Sequence, residues 1–160
     1  MSTVDAKLPE APRIEGAPPR VLVVRAPYYV AVVDGLRQGA ASILEQAGAP
    51  FDVLDVAGAL ELAGAVRLAV GFTRRFDAFV ALGCVVRGDT DHYEYVCREA
   101  MAGLTQVVQD HALCLGNGLL TVDTLAQAEA RSGADGHNKG AEAAVAALLQ
   151  VRAKRWLAQR

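Results

Sequence analysis

The residues best suited to chemistry crowd into Arg87-Gly88-Asp89-Thr90-Asp91-His92. His92 can carry a proton near neutral pH as a general acid or base. It stands where a helix should begin. Asp91 and Glu94 are spaced as a capping pair, and Tyr93, Val96 and Ala100 carry an apolar stripe at helical spacing. Amides at a helix start favour an anion, so with Thr90 they form a phosphate-sized cradle beside His92. The alternative use of His92 is partial capping of the helix. Arg87 reads either as a substrate contact or as a structural ion pair with a carboxylate, and the ion pair is the favoured reading.

Three other stretches carry candidate groups. In Ala26-Pro27-Tyr28-Tyr29 the rings could stack on a planar heterocycle or simply fill the gap between loop and helix. Gly58 and Ala59 let backbone approach the edge of a flat ligand, and Glu61 opens a helix where a carboxylate is favoured. On their own these are also an ordinary solvated turn. Asn117, Thr121, Arg131 and Lys139 form the last set. Either cation could reach a phosphate, arginine in a bidentate manner, although taken alone both look like surface charges.

These groups are positioned by alternating strands and helices. Apolar runs predict strands at Arg20 to Arg25, Phe51 to Val56, Ala78 to Val86 and Ala112 to Leu120. Helical periodicity predicts Val32 to Ala47, with Leu36, Ala40, Ile43, Leu44 and Ala47 on one face and Gly48 as the stop. It also predicts Glu61 to Phe72 and Asp91 to Asp110. Thr124 with Gln127 resembles a capping box for a helix to Arg131, and after a Gly133 to His137 loop Asn138 caps a last helix to about Trp156. Strand–helix alternation with short connections means parallel strands, right-handed crossovers and helices on both faces. The strand-to-helix loops, beginning at Ala26, Ala57, Arg87 and Thr121, then share one edge of the sheet, where ligands bind in open α/β folds.

The 160 residues suit one domain, with 52% hydrophobic and 21% charged residues. A net charge of −2 gives no footprint for nucleic acid or an anionic membrane. No apolar run is long enough for a bilayer span, and the N-terminus has no secretory signal pattern. Cys84, Cys97 and Cys114 are odd in number and unpaired in spacing, which suits buried thiols in a reducing cytoplasm better than disulfides or zinc. His92, His111 and His137 share no metal-ligand spacing, so a metal site is not expected. Residues 1–19, with Pro9, Pro12, Pro18 and Pro19, read as a flexible, extended or disordered arm preceding a domain at 20–160, and this arm could lie along a neighbouring subunit.

Three separated motifs resemble the 6,7-dimethyl-8-ribityllumazine synthase family of riboflavin biosynthesis. They are VAGALEL at Val56 to Leu62, LGCVVRGDTDHYEYV at Leu82 to Val96, and GLLTVDTLAQAEARSG at Gly118 to Gly133 followed by NKG at Asn138 to Gly140. Order and spacing fit from Arg20 to Trp156. The resemblance implies condensation of 5-amino-6-(D-ribitylamino)uracil with 3,4-dihydroxy-2-butanone 4-phosphate, through a Schiff base, phosphate elimination and ring closure, with no cofactor. It implies a single-domain three-layer αβα sandwich, flavodoxin-like, with a four-stranded parallel sheet of order 2-1-3-4. By resemblance Tyr28 stacks on the pyrimidine, and Gly58, Ala59 and Glu61 hold the pyrimidine and ribityl chain. Val85 and Val86 add backbone contacts, Asp89 and Thr90 help bind phosphate, and His92 transfers protons. Arg131 reaches the phosphate from a neighbouring subunit, Asn117 occupies a position often held by phenylalanine, and Lys139 lies near the ribityl chain.

The chain departs from the family at Ala57 and near Ala63, where prolines are common, and at Leu60, Tyr28 and Asn117. The resemblance also implies a homopentamer with sites between subunits. The turn at Gly133 to His137 has no obvious insertion and so permits a sixty-subunit shell. Its altered glycine and lysine pattern, with the proline-rich arm, favours a pentamer or a dimer of pentamers. The competing reading is a catalytically weak paralogue that binds flavin or builds a shell. A flavodoxin-like electron carrier fits less well, because the first strand is not followed by a hydroxyl-rich phosphate loop.

Overall fold

A computed structural model describes residues 9–73, 75–134 and 137–160. Its elements run β1 (Val21–Ala26), α1 (Val30–Gln46), β2 (Phe51–Asp55), α2 (Glu61–Phe72), β3 (Ala78–Val86), α3 (His92–His111), β4 (Leu115–Val122), α4 (Leu125–Ser132) and α5 (Lys139–Leu157). All four strands are parallel, in the order β2-β1-β3-β4. The expected αβα sandwich is therefore the observed architecture.

Side-chain alternation along the strands divides the core in two. Val21, Val23, Val80, Leu82, Cys84, Leu120 and Val122 point to one side and meet α1, α4 and α5. Leu22, Val24, Phe79, Ala81, Leu115 and Leu119 point to the other and meet α2 and α3. The central strand β3 is buried on both sides from Ala78 to Cys84, which explains its unbroken apolar run. Close approach on the first side depends on glycine. A Cβ at Gly140 would stand 1.9 Å from the Leu36 carbonyl oxygen, and one at Gly116 would stand 1.8 Å from that of Ala143.

Local signals decide most of the boundaries. Thr124 Oγ1 accepts from the Gln127 amide at 3.2 Å, while Gln127 Oε1 accepts from the Asp123 amide at 2.9 Å. Asn138 caps α5 by accepting from Gly140 and Ala141, and its amide group donates to Gly35, Ser132 and Gly133 carbonyls. That side chain consequently ties α1, α4 and α5 together.

Two expectations are corrected. The last strand begins at Leu115, not Ala112, and runs to Val122, so the following loop opens at Asp123. Ala112 adopts the left-handed conformation (φ 49°) that closes α3, and the Leu113 amide donates back to the Val108 carbonyl. Those residues belong to the helix stop, and the strand pattern starts after them. The Asp91–Glu94 capping box does not form: Asp91 makes no side-chain cap, and Glu94 bonds to Arg87 instead. Residues 9–19 have no regular structure, as an extended arm would, yet Ala11 and Ile14 pack against the α1/α5 core and Arg155 donates to the Glu15 and Ala17 carbonyls. Residues 1–8, and Asp135 and Gly136 in the turn before α5, lie outside the described residues.

Candidate active site at the strand ends

The strand order sets the loops after β2, β1 and β3 side by side along the carboxyl edge of the sheet. After β1, the two tyrosines divide their labour. Tyr29 is partly buried against the core, whereas Tyr28 is 76% exposed, its ring meeting that of Tyr29 edge-on at 5.3 Å. The gap-filling use belongs to Tyr29, and Tyr28 is left free to stack. After β2, the amides of Glu61 and Leu62 donate to the Gly58 and Ala59 carbonyls, a tight turn into α2. A Cβ at Gly58 would stand 3.1 Å from Glu61 Oε2, so the carboxylate lies over that glycine. Negative charge in the first turn of α2 is favoured by the helix dipole.

After β3, Val85 and Val86 are half-buried at the strand end and paired with Thr121 and Val122. Gly88, Asp89, Thr90 and His92 are exposed. With no side-chain cap from Asp91, the His92 and Tyr93 amides remain open to an incoming anion, while the Glu94 amide donates to the Asp91 carbonyl at 3.0 Å. The failed capping box is thus consistent with the phosphate cradle expected there.

Arg87 bounds this loop. Its backbone N–H donates to the Val122 carbonyl at 2.9 Å, continuing the β3–β4 ladder by one residue. Nε donates to Asp123 at 2.8 Å, an Nη donates to Glu94 at 2.7 Å, and the guanidinium carbon lies 4.2 Å from the centre of the Tyr93 ring. The expected structural ion pair is therefore present twice over. The two carboxylates raise the pKa of the guanidinium, with Asp123 the larger influence, so it stays charged throughout the working range. Asp123 falls inside the third motif, which assigned it no role. Its signal was positional: in a parallel β3–β4 pair, the residue after β4 must stand beside the residue after β3.

The remaining candidates sit apart. Asn117 is mid-strand on β4, opposite Ala81, and Val85 lies four residues further along β3, about 13 Å at strand rise. Asn117 Oδ1 accepts from the Leu119 amide at 2.9 Å, and Nδ2 lies 3.1 Å from Met101 Sδ. It covers an outward-facing amide of the edge strand, as Gln150 does at Leu115. Lys139 shares a cleft of about 250 Å³ with Asn117, and its Nζ is held by both Glu142 oxygens at 2.7 Å. Arg131 stands in the last turn of α4, about 10 Å along the axis from Thr124, and donates to the Gln127 carbonyl. One chain therefore presents two groups: Tyr28, Gly58, Ala59, Glu61 and Asp89 to His92 at the strand ends, and Asn117, Lys139 and Arg131 along the β4 side.

Chemically, the strand-end group offers an exposed proton carrier, an anion cradle and an aromatic shelf, held by a parallel sheet. Among the described residues, no three His, Cys, Asp or Glu side chains gather as a metal site. The fold is that of a parallel-sheet α/β protein with its candidate polar groups gathered at the strand ends. Residues 18–155 match the family described as 6,7-dimethyl-8-ribityllumazine synthase. Proteins of that name from Nitrobacter winogradskyi and Azorhizobium caulinodans are similar to this chain. The first is 46% identical over 158 residues, covering 96% of each chain; the second is 49% identical over 140 residues, covering 85% of this chain and 86% of the relative. A Rhodopseudomonas palustris protein named 6,7-dimethyl-8-ribityllumazine synthase 1 is 44% identical over 158 residues, again covering 96% of each. The chain belongs to the 6,7-dimethyl-8-ribityllumazine synthase family.

Proposed function

We propose that the strand-end loops form the substrate and proton-transfer half of a lumazine synthase site, with His92 as the proton carrier. The enzyme condenses 5-amino-6-(D-ribitylamino)uracil with 3,4-dihydroxy-2-butanone 4-phosphate to 6,7-dimethyl-8-ribityllumazine, in riboflavin biosynthesis. The substrates bring their own amine and carbonyl, so the protein's work is orientation and proton movement. Tyr28 stacks on the pyrimidine, the Gly58–Ala59 backbone and that of Val85 and Val86 meet its edges, and Glu61 takes the ribityl hydroxyls. Asp89, Thr90 and the open amides of α3 hold the four-carbon phosphate. His92 then serves Schiff-base formation, phosphate loss and ring closure in turn.

The observation that carries this reading is an exposed histidine on an uncapped helix start, one strand away from the exposed Tyr28 ring, in a chain of this family. Mixing both substrates with the wild type and with His92→Ala tests it. Lumazine formation that falls at least tenfold in the variant is expected; equal rates would remove His92 from the chemistry.

We place the second group in a neighbouring subunit's site. Arg131 would reach the phosphate and Lys139 and Asn117 the pyrimidine and ribityl side, within a homopentamer or a pair of pentamers in the cytoplasm. Two features support this: the distance along the sheet between the two groups, and exposed apolar side chains at Leu60, Leu68 and Phe72 on and beside α2. Sedimentation at micromolar protein tests the assembly, with a monomer or a particle near sixty subunits as the contrary results.

A further inference from the structure

We propose that Arg87 is the positioning residue of the proton-transfer loop. It acts as a buckle that closes residues 88–91 and sets the direction of His92 without touching substrate. The inference rests on the site reading above. The loop leaves β3 at Arg87 and enters α3 at His92, and both of its ends are fastened through the same residue. On the near side, the Arg87 backbone is locked into the sheet by the Val122 carbonyl. On the far side, its guanidinium holds Glu94 at 2.7 Å and covers the Tyr93 ring at 4.2 Å. The third attachment, Asp123 at 2.8 Å, anchors the guanidinium to the end of β4, and Asp123 is itself held through its amide by Gln127 of α4.

Helix geometry converts this clamp into a direction. Successive residues turn by about 100°, so Tyr93 and Glu94 drawn towards Arg87 leave His92 on the opposite side of the first turn, facing away from the guanidinium. Using Glu94 this way also withdraws its side chain from capping the Asp91 amide. A lysine could satisfy one carboxylate but could not span two and stack on a ring. Half of the Arg87 side chain is exposed, 47%, and exposed ion pairs add little to stability. The clamp's consequence therefore falls on geometry, where a displacement of about 1 Å can cost on the order of a hundredfold in rate.

The test measures kcat and both KM values for wild type, Arg87→Lys, Glu94→Gln and Asp123→Asn, with thermal midpoints as a folding control. Expected are a tenfold or greater fall in kcat for Arg87→Lys and a smaller fall, about threefold, for each carboxylate variant. The KM of the pyrimidine should stay within twofold. The two carboxylate variants matter because they separate a buckle from a direct contact. If Arg87 bound phosphate, freeing it from Glu94 and Asp123 would tighten the four-carbon substrate; as a buckle, freeing it loosens the loop and slows turnover. Lower KM for the phosphate substrate with kcat retained in those variants overturns the proposal, as does full activity of Arg87→Lys. If Arg87→Lys fails to fold, the carboxylate variants alone decide between the same two signs. A wild type that makes no lumazine refutes the site reading itself, a result distinct from an active wild type with indifferent variants.

Discussion

Against α1, α4 and α5, the sheet is covered by backbones brought into contact at glycines and locked by a buried, fully bonded Asn138. Against α2 and α3, it is covered by ordinary apolar side chains, and apolar surface is left over: Leu60, Leu68 and Phe72 are 49%, 60% and 88% exposed, and Leu54 of β2 is exposed at the sheet edge. The first side is packed backbone to backbone within one chain, although Val30, Leu125, Leu149, Trp156 and Leu157 are exposed on the outer faces of its helices. On the second side the exposed Leu60, Leu68 and Phe72 stand on or beside one helix, a surface through which a chain could gain by meeting another. The candidate chemistry emerges at the end of the sheet, with loops drawn from both sides.

Substitutions at the backbone contacts of the first side should therefore damage the chain itself. Gly140→Ala would drive a methyl into the Leu36 carbonyl, where no flexible side chain can yield, and should cost about 3 kcal/mol or more. Urea unfolding of the variant checks this; an unchanged midpoint would mean that α1 and α5 can slide apart freely. Asn138→Ala should follow closely, at about 2–3 kcal/mol, because Gly35, Ser132 and Gly133 carbonyls and two helix-start amides lose their partner together.

On the other side the same kind of test should give the opposite division. Leu68→Ser with Phe72→Ser removes exposed groups, so the unfolding free energy of the chain should move by about 1 kcal/mol or less. Sedimentation should nevertheless shift towards smaller species. Loss of stability without change of assembly would mean that this surface serves the chain and not a neighbour.

What could be read from the residues follows the same line. β3 and α2 were bounded correctly because each is a local pattern: an unbroken apolar run for a strand covered on both faces, and a helical repeat opened by Glu61. The strand-end loops followed from alternation alone. Arg87 was legible only as far as an ion pair with some carboxylate. Asp123 is 36 residues away and is brought near by sheet register, and Glu94 had a competing local use as a cap. Ala112 misled for a related reason. It precedes an apolar stretch that looks continuous with β4, and nothing in its residue type announces the left-handed turn that ends α3. Asn117 gave no warning of its bond to the Leu119 amide, because edge position depends on which strand is last in the sheet. Local periodicity thus located the groups, and long-range register decided their partners.

The smallest expected effect sharpens the contrast at single atoms. Cys84 lies in the core against α1, α4 and α5, and burial pushes its thiol up to about 11. Cys97, on α3, is half-buried and is also raised, chiefly by burial. The thiolate is the reactive form, so a raised pKa lowers reactivity at any pH below it. At pH 8 Cys84 carries about one thiolate in a thousand, and its labelling should climb roughly tenfold for each pH unit towards 11. Iodoacetamide at pH 8 followed by peptide mass analysis should therefore find Cys97 modified well before Cys84. Unfolding in urea should abolish the difference, because both thiols then return to ordinary values. Equal labelling in the folded protein would show that the side closed by Gly140 and Asn138 opens as readily as the side covered by α2 and α3.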